Sequence, residues 1–259
     1  MQKLSVSSFP FLLLILGYLL MSTQLSQPAS SQPSFDPLHD SRQCLVVVTP
    51  AWDEPRGILR RYLRDDLDAE WVKQSPELPV VVGRNGMAWG YGIHPAIGAP
   101  RKHEGDGKAP AGLFELGRAF GFAPADTLKG WAWPYQQVGE GWCCVDDPQS
   151  RYYNQLLRYE QAETRDWVSA ERMAEIGAPY EWGIVIMQNM NPTRPGGGSC
   201  VFLHVWSSPG RPTVGCTAMA REAMVELIGW LQPDKKPRLI QLPEPIYRQV
   251  QSAWNLPSL

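Results

Sequence analysis

The stretch Ser199-Cys200-Val201-Phe202-Leu203-His204-Val205-Trp206, followed after Pro209-Gly210 by Thr213-Val214-Gly215-Cys216-Thr217, decides how this chain is read. Val201, Leu203 and Val205 alternate with Phe202, His204 and Trp206, the period of a β-strand that shows one face to each side. His204 therefore shares a face with two aromatic rings. A reversal centred on Gly210 predicts an antiparallel hairpin. Positions 204 and 216, equidistant from the turn, would then stand opposite each other with their side chains on one side. Pro212 lacks an N–H and would interrupt the second strand of such a hairpin. An imidazole within reach of a thiol is what a general base needs to make a nucleophilic thiolate. Cys216 and His204 are therefore the candidate nucleophile and base.

Downstream, Ala220, Ala223, Met224, Leu227, Ile228 and Leu231 recur at helical spacing and predict an amphipathic helix that stops near Pro233. A nucleophile just ahead of a helix start gains from unpaired backbone N–H groups, which stabilise a thiolate or an oxyanion. Elsewhere the β-branched runs Val46–Thr49, Val80–Val82, Ile184–Met187 and Leu239–Leu242 are divided by Gly, Pro and Asn. With 23 Gly and 24 Pro in 259 residues, this spacing of turns predicts a mainly β fold, a sandwich or barrel with a few helices. No linker or repeat divides residues 36–259, which are read as one domain. Residues 1–31 combine Lys3, an apolar run from Phe9 to Met21 and a polar tract ending in Ala29-Ser30-Ser31. They are read as a secretory signal, or an uncleaved N-terminal anchor, which predicts an exported, periplasmic or cell-envelope protein.

These residues resemble the L,D-transpeptidase catalytic domain family of the YkuD type, whose signature is a strand-borne His followed by Ser/Thr-His-Gly-Cys. Cys216 matches the family nucleophile, His204 its upstream base, Thr213 the Ser/Thr and Gly215 the glycine beside the cysteine, while Val214 replaces the second histidine and Thr217-Ala218-Met219 follows. Val81-Val82-Gly83-Arg84-Asn85-Gly86, the block Lys102–Phe114 and Cys144-Val145-Asp146-Asp147-Pro148 are similar to the same branch, in the family's order. The resemblance implies an L,D-transpeptidase-like β-sandwich or barrel whose reaction is cysteine acyl transfer on peptidoglycan stem peptides, with a thioester at Cys216. It implies Thr213, Gly215 and Thr217 as supporting or oxyanion residues, and Trp206, Asp106 and Asn189 as candidates for the substrate cleft. Two alternatives stay open: an L,D-carboxypeptidase that uses water as acceptor, and a secreted peptidoglycan-binding module without catalysis. For the group that orients the base, a backbone carbonyl, Asp146, Asp147 and Asn189 are all candidates. Papain-like enzymes place the cysteine well before the histidine, the reverse of the order here.

Export makes the odd number of cysteines informative, because oxidising compartments favour disulfides and one thiol of the five must remain free. Cys216 is expected to be that thiol, with Cys144–Cys200 a candidate bridge near the site because Cys200 is read as lying on the strand that carries His204. A net charge of −2 without a basic stripe argues against nucleic-acid partners. No protein partner can be inferred. Trp131 and Trp133 are read as packing rather than as a ligand platform. His94, His103, Glu104 and Asp106 lack the spacing of a zinc site, so no metal or cofactor is expected.

Overall fold

The β-branched runs form strands because each is long enough to cross a sheet and apolar enough to be buried. The computed structural model describes residues 35–95 and 98–259; the expected signal segment, residues 1–31, lies outside them. Among the described residues thirteen strands run in chain order: β1 Gln43–Thr49, β2 Arg56–Leu63, β3 Val72–Val81, β4 Met87–Trp89, β5 Ala109–Gly121, β6 Tyr135–Gln137, β7 Trp142–Val145, β8 Leu156–Arg158, β9 Ala170–Arg172, β10 Trp182–Ile186, β11 Phe202–Val205, β12 Thr217–Met219 and β13 Arg238–Pro243. The helices are α1 Met173–Ile176, α2 Arg221–Trp230 and α3 Glu244–Val250.

Strands β10, β11, β12, β3, β2, β1, β13 and β5 pair in that order, and β5 also pairs with β10, so the sheet closes into a barrel. Closure removes the free edges that an open sheet would leave unpaired. The expected mainly β class is met as a barrel with few helices. Strand β1, Gln-Cys-Leu-Val-Val-Val-Thr, is buried along its whole length because it runs parallel to β13 on one side and antiparallel to β2 on the other. The expected helix is α2, which buries Met224, Leu227 and Ile228, and Leu231 is buried just past its end. Trp133 is buried and donates its indole N–H to the Gly117 carbonyl, and Trp131 packs on Trp182 at 5.3 Å, so both serve packing.

A second sheet, ordered β8-β7-β9, stands beside the barrel. The disulfide Cys144–Cys200 ties its central strand β7 to the segment that enters β11, as expected, and Cys216 is free, along with Cys44 and Cys143.

The expected antiparallel hairpin is not formed. Strands β11 and β12 are parallel, with His204 beside Ala218 and Leu203 beside Thr217. The cause lies in β3 and the residues after it. The Thr213 N–H donates to the Val82 carbonyl, Arg84 N–H donates to the Thr213 carbonyl, and Ala218 pairs antiparallel with Val81. Those partners draw the chain back to the beginning of β11 before β12 starts, and Pro209 and Pro212, which have no N–H, lie in the crossing loop rather than in a ladder. The shared side survives by another route. Partners in register point to the same face, and Cys216 lies two residues before Ala218, so its side chain falls on the His204 side.

Candidate active site

Strand β11 carries His204, and the turn Thr213–Cys216 delivers Cys216 immediately before β12. Both side chains are nearly buried, and both line one cavity of about 160 Å³ together with Glu171, Tyr180, Trp206 and Arg211. The aromatic neighbours are packed edge-on: Tyr180 meets His204 at 5.5 Å and Phe202 at 5.5 Å, and Phe120 meets Phe202 at 5.0 Å. Gly183 stands beside His204 on β10, and the Phe120 ring occupies the space a Cβ would need, 2.3 Å away, so only glycine fits under this cluster.

The His204 Nδ1 lies 2.7 Å from the Val205 carbonyl oxygen. A carbonyl only accepts, so Nδ1 carries the proton and Nε2 carries the lone pair. A backbone carbonyl thus orients the candidate base. Asp147 instead accepts from Gln149 N–H and Val168 N–H, Asn189 pins its own loop, and Asp146 has a buried Oδ1 with no hydrogen-bond partner among the described residues. Burial pushes the His204 pKa down to about 4, against the opposing pull of the Val205 and Pro179 carbonyls, so the ring is neutral at neutral pH. Burial also pushes the Cys216 thiol up to about 12. The Glu171 charge adds to that rise, and the Phe202 N–H and Lys102 oppose it. The resting pair is therefore a neutral thiol and a neutral imidazole. In this state the thiol donates to the Cys200 carbonyl at 3.5 Å and accepts from the Phe202 N–H at 3.3 Å.

The supporting residues divide. Thr213 belongs to the site: its hydroxyl donates to the Cys216 carbonyl at 2.7 Å and accepts from the Gly215 N–H at 3.1 Å, closing the turn that holds Cys216. That leaves the Gly215 N–H occupied, whereas the turn's hydrogen bonds do not use the N–H groups of Val214 and Cys216. Thr213→Val should destabilise the fold by about 1–2 kcal/mol by orphaning both groups and should slow any reaction at Cys216. Thr213→Ser should restore both, as read by urea unfolding and thiol acylation.

Thr217 faces the other way, fully buried, and donates to Gln241 Oε1 at 2.6 Å, so it braces the barrel and not the cavity. Thr217→Val should cost about 1–3 kcal/mol by leaving that oxygen unpaired, measured by urea unfolding, with the reactivity of Cys216 unchanged. Strand β12 also separates Cys216 from the start of α2, so the N–H groups of that helix do not reach the thiol.

Of the cleft candidates, Trp206 lines the cavity. Asp106 lies behind it, accepting from Lys102 Nζ at 2.6 Å and from the N–H groups of His103 and Lys108. Asn189 is removed from it and staples residues 189–198 through the Arg194 and Gly198 carbonyls. Val214 is 66 % exposed at the cavity rim. His94, His103, Glu104 and Asp106 do not converge: His94 packs among Trp89, Phe114 and Trp254, and Glu104 is held by Tyr153 and Ser199. Among the described residues, no three His, Cys, Asp or Glu side chains form a metal-binding group.

No family model matches this chain. No curated protein matches it either. Among solved structures it is similar to the helical cell shape determining protein Pgp2 from Campylobacter jejuni, with a TM-score of 0.39 and 15% identity over 79% of this chain and 48% of that one. The chain spans about half the length of that structure.

Three site groups carry no signal of their role in the sequence. Lys102 is buried beside the Thr213–Cys216 turn, its Nζ 3.9 Å from where a Cβ on Gly215 would lie, and its charge favours a Cys216 thiolate. Tyr180 and Glu171 complete the cavity wall. Lys102 sits within the block Lys102–Phe114, but nothing in its neighbours indicates burial. Glu171 and Tyr180 stand in stretches without a recognisable motif.

Proposed function

We propose that this chain is a cysteine acyltransferase of the L,D-transpeptidase type that acts on peptidoglycan stem peptides after export to the cell envelope. The observation that carries this reading is that the buried His204, held through Nδ1 by the Val205 carbonyl, lines the same cavity as the free thiol of Cys216. The resemblance of Thr213, Gly215, Cys216 and His204 to the family signature supplies the substrate class.

In the proposed reaction, His204 Nε2 takes the thiol proton as Sγ attacks the carbonyl between the L-centre of a diamino acid and a terminal D-residue. The unused N–H groups of Cys216 and Val214 receive the oxyanion, and the Lys102 charge favours the anionic thiolate from behind the turn. Collapse of the tetrahedral intermediate breaks the C–N bond. The imidazolium returns its proton to the departing D-alanine nitrogen, leaving a thioester on Cys216. An amine then resolves the thioester to a new amide, or water resolves it to a free tripeptide.

Incubation of the protein with disaccharide-tetrapeptide muropeptides, followed by mass, tests the reading beside a Cys216→Ala control. Loss of D-alanine that requires Cys216 supports it, with dimers marking transpeptidation and free tripeptide marking hydrolysis. If wild type and Cys216→Ala both leave the muropeptides intact, the enzyme reading falls and a peptidoglycan-binding module takes its place.

A further inference from the structure

Glu171 lies on β9, directly across the ladder from Cys144 on β7. Cys144 is disulfide-bonded to Cys200, and the Cys200 carbonyl accepts from Cys216 Sγ. One hydrogen-bonded strand pair and one covalent bridge therefore set the position of Glu171 relative to the nucleophile. The Tyr180 hydroxyl donates to Glu171 Oε2 while the Tyr180 ring abuts His204, so the carboxyl is aimed by a residue that also packs on the base. Among the described residues that line the cavity of Cys216 and His204, Glu171 is the sole acid, and Arg211 is the sole permanently charged cation.

We infer that Glu171 is the specificity residue of this site, binding a free side-chain ammonium on the same residue whose carbonyl Cys216 attacks. This rests on the acyl-transfer reading above. A diamino acid at the scissile position carries its second amine one side chain away from the attacked carbonyl. The group that recognises the amine must therefore lie in the nucleophile's own cavity, and Arg211, whose charge repels an ammonium, cannot be that group.

The electrostatics agree. Burial pushes the Glu171 carboxyl up to about 7, the Tyr180 hydrogen bond opposing and the charges of Asp146 and Glu104 adding to the rise. A lone carboxylate there is crowded by other acids, and a bound ammonium relieves it. The same cation cancels the Glu171 charge that disfavours a thiolate at Cys216. A cationic substrate thus assists activation of its own nucleophile, and an uncharged analogue does not.

The test compares two tetrapeptides that end in D-alanine, one with lysine at the third position and one with Nε-acetyl-lysine there, by the rate of acyl-enzyme formation on Cys216 and by the dissociation constants measured with Cys216→Ala. Wild type should prefer the free amine by roughly ten- to a hundredfold, the range of a charge-assisted hydrogen bond. Glu171→Gln should bring that preference close to unity, chiefly through KM. Tyr180→Phe, which keeps the ring against His204 and removes the hydroxyl, should lower it in part, and circular dichroism checks that each variant is folded. Equal acylation of both peptides by wild type, or an undiminished preference in folded Glu171→Gln, overturns this inference alone. Absence of acyl-enzyme from either peptide in wild type overturns the enzyme reading and this inference with it.

Discussion

Replacement of His204 by Gln is expected to slow acylation of Cys216 by between about a hundred- and ten-thousandfold, the range that a positioned general base contributes. Glutamine keeps a polar side chain of similar reach but cannot take a proton. Because the resting thiol is neutral, with its pKa pushed up to about 12, no standing thiolate compensates for the lost base. The same picture fixes the pH profile. In a Glu171→Gln background, which removes the carboxyl pushed up to about 7, acylation should stay flat near neutrality and fall as pH drops through about 4, where the His204 ring takes up its proton and ceases to be a base. A rate that falls already near pH 6.5 would show an exposed imidazole and contradict the buried one described here.

Stability should carry the same signature. The ring titrates near its ordinary 6.5 in the unfolded chain and near 4 in the fold, so between those values the unfolded chain binds more protons. The stability present above pH 6.5 is then lost as pH falls toward 4, by about 3 kcal/mol in all. His204→Gln should lack this component. Urea unfolding of both proteins at pH 7 and pH 4.5 reads the difference.

The second large effect is expected from the Cys144→Ala/Cys200→Ala double variant, which should lose about 4 kcal/mol of stability by the chain-entropy relation for a bridge spanning 56 residues. For a protein of this size, that loss corresponds to a drop in Tm of roughly 10 °C. The functional cost should exceed what thermal softening alone produces. The bridge joins β7, and through it Glu171 on β9, to the segment that carries Cys216's hydrogen-bond partner. Substrate acylation at 25 °C should fall in the double variant while a small, uncharged thiol reagent still modifies Cys216. An unchanged Tm would mean that packing alone holds the three-stranded sheet in place.

Much of the barrel is legible in the order of the residues alone. The runs at Val46–Thr49, Val80–Val82 and Leu239–Leu242 fall in β1, β3 and β13 or at their ends, and the periodicity after Cys216 falls on α2, because alternation and helical spacing are local properties of a chain. The shared face of His204 and Cys216 is legible for the same reason, even though the strands pair in the direction opposite to the one expected. That direction depends on Val81, Val82 and Arg84, far upstream, which offer the partners that Thr213 and Ala218 take up.

The candidate nucleophile, its candidate base and the strand that carries the base are written in neighbouring residues. Only the tertiary structure decided that a backbone carbonyl orients the base, that Thr217 turns into the barrel beside Gln241, and that Lys102, Tyr180 and Glu171 surround the thiol. Residue spacing sets which side chains share a face. Burial, charge and hydrogen-bond partners arise from segments that meet only when the sheet closes, so the electrostatic character of the cavity belongs to the fold and not to any stretch of the chain.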